Sequence, residues 1–167
     1  MGIISLKAIQ KSCVLVIWKI EEEHGWLHDQ LSGFNFDWEE YHTISHPKKQ
    51  LEHLAARHAL LGALNSLNLN FSGIYKDENG KPYALCKSHH FSLSHAFPYA
   101  ATVVDLNREV GVDVEKIQPK LLMVKHKYLN KEELSDVKED AVKAAFYWSA
   151  KEAVYKLLAI KGLSLRE

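Results

Sequence analysis

The chain has 167 residues, 47% of them hydrophobic and 25% charged, which supports a packed core and excludes a disordered chain. Lys+Arg and Asp+Glu each number 21, so the formal net charge is zero, which argues against a general nucleic-acid or membrane-surface binder. The two cysteines, Cys13 and Cys86, fit no metal-ligand spacing and read as reduced thiols of a cytoplasmic protein.

Ser12–Ile20 (SCVLVIWKI) is β-branched and apolar and reads as a buried strand. Its apolar run is too short to span a membrane, and no small-residue cleavage site follows it. A helix is predicted from His46 to about Leu67, where Leu51, Leu54, Ala55, His58, Leu61 and Leu64 or Asn65 recur at three- and four-residue steps. Pro47 suits its first turn, with Ser45 or His46 as the cap. KDENGKP (76–82) is a hairpin turn, with Asn79-Gly80 expected to supply the positive φ angles. FSLSH (91–95), YAATVVDL (99–106) and VGVDVEKI (110–117) read as three consecutive strands. Two short helices fill 120–137. EDAVKAAFYWSAKEAVYKLLAI (139–160) is the strongest helical pattern, and Gly162 is expected to stop it. The order indicates an α+β fold with antiparallel sheet.

In GVDVEK (111–116), alternation puts Asp113 and Glu115 on one face of a strand, about 6–7 Å apart. Two like charges at that distance repel unless something positive lies between them. The last helix supplies a third acid. Phe146, Ala150, Ala153, Leu157 and Ile160 form the expected core stripe. Trp148, Glu152 and Lys156 step by four along a flank roughly 80–160° around the helix. Three carboxylates with open positions suit Mg²⁺ or Mn²⁺, hard ions that keep waters and take phosphate oxygens, and Lys156 would stand one turn away. The structural alternative is a solvated D-x-E face and a surface Glu152–Lys156 pair.

Together, GKP (80–82), FSLSHA (91–96), GVDVEK and WSAKEAVYK (148–156) resemble the ordered signature of the 4′-phosphopantetheinyl transferases, in their surfactin-synthetase-activating (Sfp-like) branch. The resemblance runs from about residue 45 to the C-terminus. It implies a 4′-phosphopantetheinyl transferase-like fold: a pseudo-twofold pair of α+β subdomains, each a long helix on a small antiparallel sheet. The first would span 1–110. The second would span 111–167 and be incomplete, because in relatives further strands follow the last helix.

The resemblance implies transfer of the phosphopantetheine arm of coenzyme A to a serine of an acyl or peptidyl carrier protein, releasing adenosine 3′,5′-bisphosphate. Asp113, Glu115 and Glu152 would hold Mg²⁺, Glu152 would take the serine proton, and Lys156 would stabilise the leaving phosphate. His95 and Ser94 correspond to a phosphate-binding pair, Lys81 and Pro82 to the adenine pocket, and Lys151 to a further coenzyme A contact. Arg57 or His58, with Lys48 and Lys49, would meet the 3′-phosphate, and the sequence leaves open which. Trp148 is expected to pack the helix. The alternative is a non-catalytic shortened relative that binds coenzyme A or a carrier protein. A shortened second half also leaves the last helix with an uncovered apolar stripe, which pairing in a homodimer would bury.

Overall fold

The computed structural model describes residues 2–160 and 162–166. The chain folds in the order β1 Ile3–Gln10, β2 Cys13–Lys19, α1 His24–Leu31, α2 Trp38–Thr43 and α3 Pro47–Ser66. Next come β3 Ile74–Lys76, β4 Pro82–Ala84, β5 His90–Ala96 and β6 Tyr99–Asp105. The last part holds α4 Lys120–Met123, a 3₁₀ turn at Lys125–Lys127, α5 Lys131–Val137 and α6 Ala141–Leu158. The fold is α+β, with a four-stranded antiparallel sheet in the order β1-β2-β6-β5 and a two-stranded β3–β4 hairpin. Among the described residues no helix is long and apolar enough to cross a membrane.

α3 is the central helix of the first half. Pro47 enters at its first turn, the His46 ring accepts the Lys48 amide, and no β-branched residue interrupts its 20 residues. It lies across one face of the sheet. Val16, Leu54, Ala55, Ala59, Leu60 and Ala63 are fully excluded from water there, each large aliphatic contributing about 1.5–3 kcal/mol. Leu27 and Leu31 of α1 cover the same core. A second apolar cluster, built on Tyr128, Leu129, Val137, Ala144 and Ala145, joins α4 and α5 to α6. The Tyr128 hydroxyl contacts the carbonyls of Leu121 and Ala144, each at 3.2 Å. Among the described residues α6 rests on helices and an extended segment, not on a sheet of its own.

Several expectations need correction. Residues 110–117 are extended but form no ladder. They run beside edge strand β5, where the amides of Val112 and Val114 donate to the hydroxyls of Ser92 and Ser94 at 3.1 and 3.2 Å instead of to backbone carbonyls. In the hairpin turn Gly80 has a positive φ of 82°, while Asn79 does not. α6 ends at Ala159, which takes the left-handed conformation (φ 53°) ahead of Gly162.

The expected core stripe of α6 is largely outside. Phe146 is 71% exposed and Ile160 51%, and Ala150 is exposed too. Ala144 and Ala145 are the buried positions. The inward face continues through Trp148, Glu152 and Lys156, which sequence periodicity had placed on a flank. Helices α1 and α2 and strand β1 were not anticipated, though the alternating IISLKAIQ pattern and an Asp37 cap before Trp38-Glu39-Glu40 carried their signal.

Candidate active site

The site forms where α6 crosses the open edge of the sheet. Gly111 makes this crossing possible: a Cβ at that position would lie 1.9 Å from the Ala153 carbonyl oxygen. Only glycine lets the 110–117 backbone touch α6 this closely. Alternation along β5 places Phe91 in the first core and turns Ser92 and Ser94 to the opposite side. There the two hydroxyls anchor the D-x-E segment. The same extended geometry brings Asp113 and Glu115 to one cavity, although no strand forms.

That cavity has a volume of about 420 Å³ and is lined by Ser94, His95, Asp113, Glu115, Glu152 and Lys156, among others. Asp113 Oδ1 accepts from the Ser94 hydroxyl and from Lys156 Nζ, both at 2.7 Å. Lys156 also donates to Ser94 Oγ at 3.0 Å and to the Val112 carbonyl at 3.2 Å. Asp113 Oδ2 is buried without a hydrogen-bond partner. Trp148 Nε1 donates to Glu115 Oε1 at 3.1 Å, and Tyr128 holds the indole by an edge-on contact at 4.9 Å. Burial and the neighbouring Asp113 raise the Glu152 carboxyl above its ordinary value. Lys156 pulls the other way, and Glu115 adds to the rise.

Among the described residues no three His, Cys, Asp or Glu side chains stand as a ready-made metal cluster. The donor chemistry nevertheless fits a hard divalent cation: three carboxylates face one cavity, one buried oxygen lacks a partner, and burial and then the Asp113 charge disfavour an uncompensated negative charge on Glu152.

His95 meets the same cavity from β5. Its Nδ1 lies 2.9 Å from Glu52 Oε2 and must donate, since the carboxylate only accepts. Burial lowers the His95 value despite that pairing. Glu52 also accepts the Phe97 amide at 2.9 Å and Lys49 Nζ at 2.6 Å. Lys49 is thereby committed to Glu52. Lys48 lies over the Phe97 ring at 5.1 Å, and neither lysine lines the cavity.

Arg57 and His58 separate cleanly. Arg57 lines the cavity and is held by Asp37 through Nη2 at 2.7 and 2.9 Å and Nε at 3.1 Å. His58 points into the first core, with Nε2 at 2.9 Å from the Leu27 carbonyl and Trp18 and Trp26 beside its ring. Lys81 reaches Glu109 at 2.8 Å and the Leu157 carbonyl at 3.0 Å, tying the β3–β4 turn to the end of α6. It lines an adjoining cavity of about 400 Å³ that shares Pro82 and Lys156 with the first. Lys151 turns away, bonding Glu133 and the Leu165 carbonyl.

Sequence reading missed Glu40, His53 and Lys76, which line the far end of the cavity beside Arg57. Burial, with Arg57 close by, brings His53 down to about 3, so it is neutral there. Burial opposes the charge on Asp37, yet the Arg57 guanidinium helps hold its carboxyl well below the usual range.

The sequence pattern of the 4′-phosphopantetheinyl transferase superfamily matches residues 109–167, the stretch that carries both acidic motifs. A 4′-phosphopantetheinyl transferase of Bacillus pumilus, psf-1, is 36% identical over 92 residues, covering 52% of this chain and 39% of that protein. The Bacillus subtilis transferase ffp is 34% identical over 108 residues, 61% of this chain and 46% of its own length. A putative 4′-phosphopantetheinyl transferase of Haemophilus influenzae is 33% identical over 121 residues, 66% and 50% of the two chains. The chain thus spans about half the length, or less, of these curated relatives. Asp113, Glu115, Glu152 and Lys156 all lie within the matched residues 109–167, and over that stretch the chain is similar to the 4′-phosphopantetheinyl transferase superfamily.

Proposed function

We propose that this cavity binds coenzyme A and transfers its phosphopantetheine arm to a serine of an acyl or peptidyl carrier protein in a Mg²⁺-dependent reaction. The observation that carries the reading is the convergence of Asp113, Glu115, Glu152, Lys156, Ser94 and His95 on one cavity, with Asp113 Oδ2 unpartnered. Asp113, Glu115 and Glu152 would hold the cation, which when bound neutralises pyrophosphate charge. On this reading the chain divides at 110/111 into two subdomains, and the site forms between them.

The chain's own groups account for the proton and charge movements. The serine oxygen bonds to the phosphorus that bears the pantetheine arm, and the bond from that phosphorus to the bridging oxygen breaks. The bridging oxygen leaves with adenosine 3′,5′-bisphosphate. Glu152, with its raised proton affinity, accepts the serine proton. Lys156 stands at Asp113 and Ser94, placed to meet the negative charge that develops on the departing phosphate. His95, fixed through Nδ1 to Glu52, meets a phosphate oxygen through Nε2 as the imidazolium, the form in which both ring nitrogens donate and which the phosphate charge favours against burial.

One observation favours a second reading, a relative that binds without transfer. Lys156 occupies Asp113 Oδ1, and the acids do not stand as a closed metal cluster. Calorimetry separates the two. Under the transferase reading Mg²⁺ tightens coenzyme A binding, and Glu152→Gln removes that gain. A binding-only relative shows the same coenzyme A affinity with and without Mg²⁺. Release of adenosine 3′,5′-bisphosphate from coenzyme A without any carrier protein would instead indicate a phosphohydrolase.

A further inference from the structure

The far end of the cavity holds four charges that cancel. Arg57 is 6% exposed and gripped by Asp37 through two nitrogens, while its Nη1 donates to the His53 carbonyl at 3.2 Å. Lys76 is hydrogen-bonded to Glu40 and lies 3.5 Å from Asp37 Oδ2. Glu40 Oε2 also stands 3.9 Å from Arg57 Nη2. His53 is the remaining titratable neighbour, 3.9 Å from Asp37 and uncharged.

The two carboxylates are not equivalent. The Asp37 side chain is 14% exposed and bound bidentately, so it is a fixed counter-ion of Arg57. The Glu40 side chain is 44% exposed, on a short helix, and its partner Lys76 is 32% exposed. An anion entering this end finds no surplus positive charge until one carboxylate leaves, and only Glu40 can swing into water cheaply.

We propose that Glu40 is a built-in competitor for a phosphate monoester: it covers Lys76 and Arg57 in the free protein and is displaced when a dianionic phosphate binds there. Lys76 is then the exchanged cation and Asp37 the residue that keeps Arg57 aimed into the cavity. The inference rests on the coenzyme A reading, in which the 3′-phosphate is the displacing group. It adds a specificity device that the sequence did not announce. A ligand without a phosphate monoester gains nothing from moving Glu40, so the residue acts on one ligand class only.

Calorimetry with coenzyme A and with 3′-dephospho-coenzyme A tests this on the wild type, Glu40→Gln, Lys76→Met and the double variant. Glu40→Gln is expected to tighten coenzyme A by roughly threefold to fivefold, the size of a partly exposed ion pair, and to leave the dephospho ligand unchanged. Lys76→Met is expected to weaken coenzyme A, and in its background the Glu40 effect should shrink to the part exerted through Arg57. Glu40→Gln shifting both ligands equally, or neither, would overturn the proposal while leaving the transferase reading intact. If the wild type binds no coenzyme A, the reading fails, and inorganic phosphate still tests Glu40. Greater thermal stabilisation of Glu40→Gln than of the wild type by phosphate supports the competitor, and equal stabilisation contradicts it.

Discussion

Asp113 has one oxygen in two short hydrogen bonds and the other in none. A buried orphan of this kind is costly unless a ligand completes it. Glu152, nearby, carries the complementary signature: burial first, then Asp113, raise its proton affinity. Because its folded value lies above the ordinary 4.5, the folded chain binds the proton more tightly than the unfolded chain does. That contribution is fully present below the ordinary value and is lost as pH rises toward the folded value. Glu152→Gln is therefore expected to raise the melting temperature at neutral pH while abolishing transfer. Melting curves across pH check this: the gap between variant and wild type should shrink on acidification. A Glu152→Gln protein less stable than wild type at neutral pH would remove the like-charge account. Mg²⁺ should raise the wild-type melting temperature and leave Asp113→Asn unmoved.

Gly111 and the two β5 serines do at the level of elements what a strand ladder would have done. Alternation in GVDVEK correctly paired Asp113 with Glu115, because extended backbone preserves the period of two whether or not a ladder forms. It could not show that hydroxyls would replace carbonyls. Gly111→Ala would force the segment off α6, since the new Cβ meets backbone and not a flexible side chain. The expected cost is about 1–3 kcal/mol in chemical denaturation, with loss of coenzyme A binding. Ser92→Ala strips the Val112 amide of its partner and is expected to cost about 1 kcal/mol. Ser92→Thr, which keeps the hydroxyl, should recover most of it.

Helix α6 shows where periodicity fails. Val142, Ala144, Ala145, Phe146, Ala150, Ala153, Val154, Leu157 and Leu158 surround most of its circumference, so several apolar stripes fit equally well. The face chosen in the fold is the one bearing small Ala144 and Ala145 together with Glu152 and Lys156, because the cavity lies on that side. Residues drawn from short elements were invisible for a different reason. Glu40 in α2 and Lys76 in β3 have no period to betray them and meet Arg57 only through tertiary folding.

At the scale of the whole molecule, the exposed side of α6 carries Val142, Phe146, Val154 and Leu158, each 47–71% exposed, beside a groove that includes Leu163 and Leu165. An apolar ridge of this length predicts that the 167-residue chain self-associates. Sedimentation over a hundredfold concentration range should show a dimer that Phe146→Glu dissociates. A strictly monomeric wild type would contradict it. The core around α3 does not depend on this contact.

The central claim is that the cavity between β5, the 110–117 segment and α6 transfers a phosphopantetheine arm. Its most direct test is the intact mass of an apo acyl carrier protein after incubation with coenzyme A, Mg²⁺ and this chain. The account predicts a gain of one phosphopantetheine arm on the carrier serine, release of adenosine 3′,5′-bisphosphate in equal amount, and no gain with Asp113→Asn. A carrier whose mass stays unchanged while the chain demonstrably binds coenzyme A, or a gain that persists in Asp113→Asn, would contradict it.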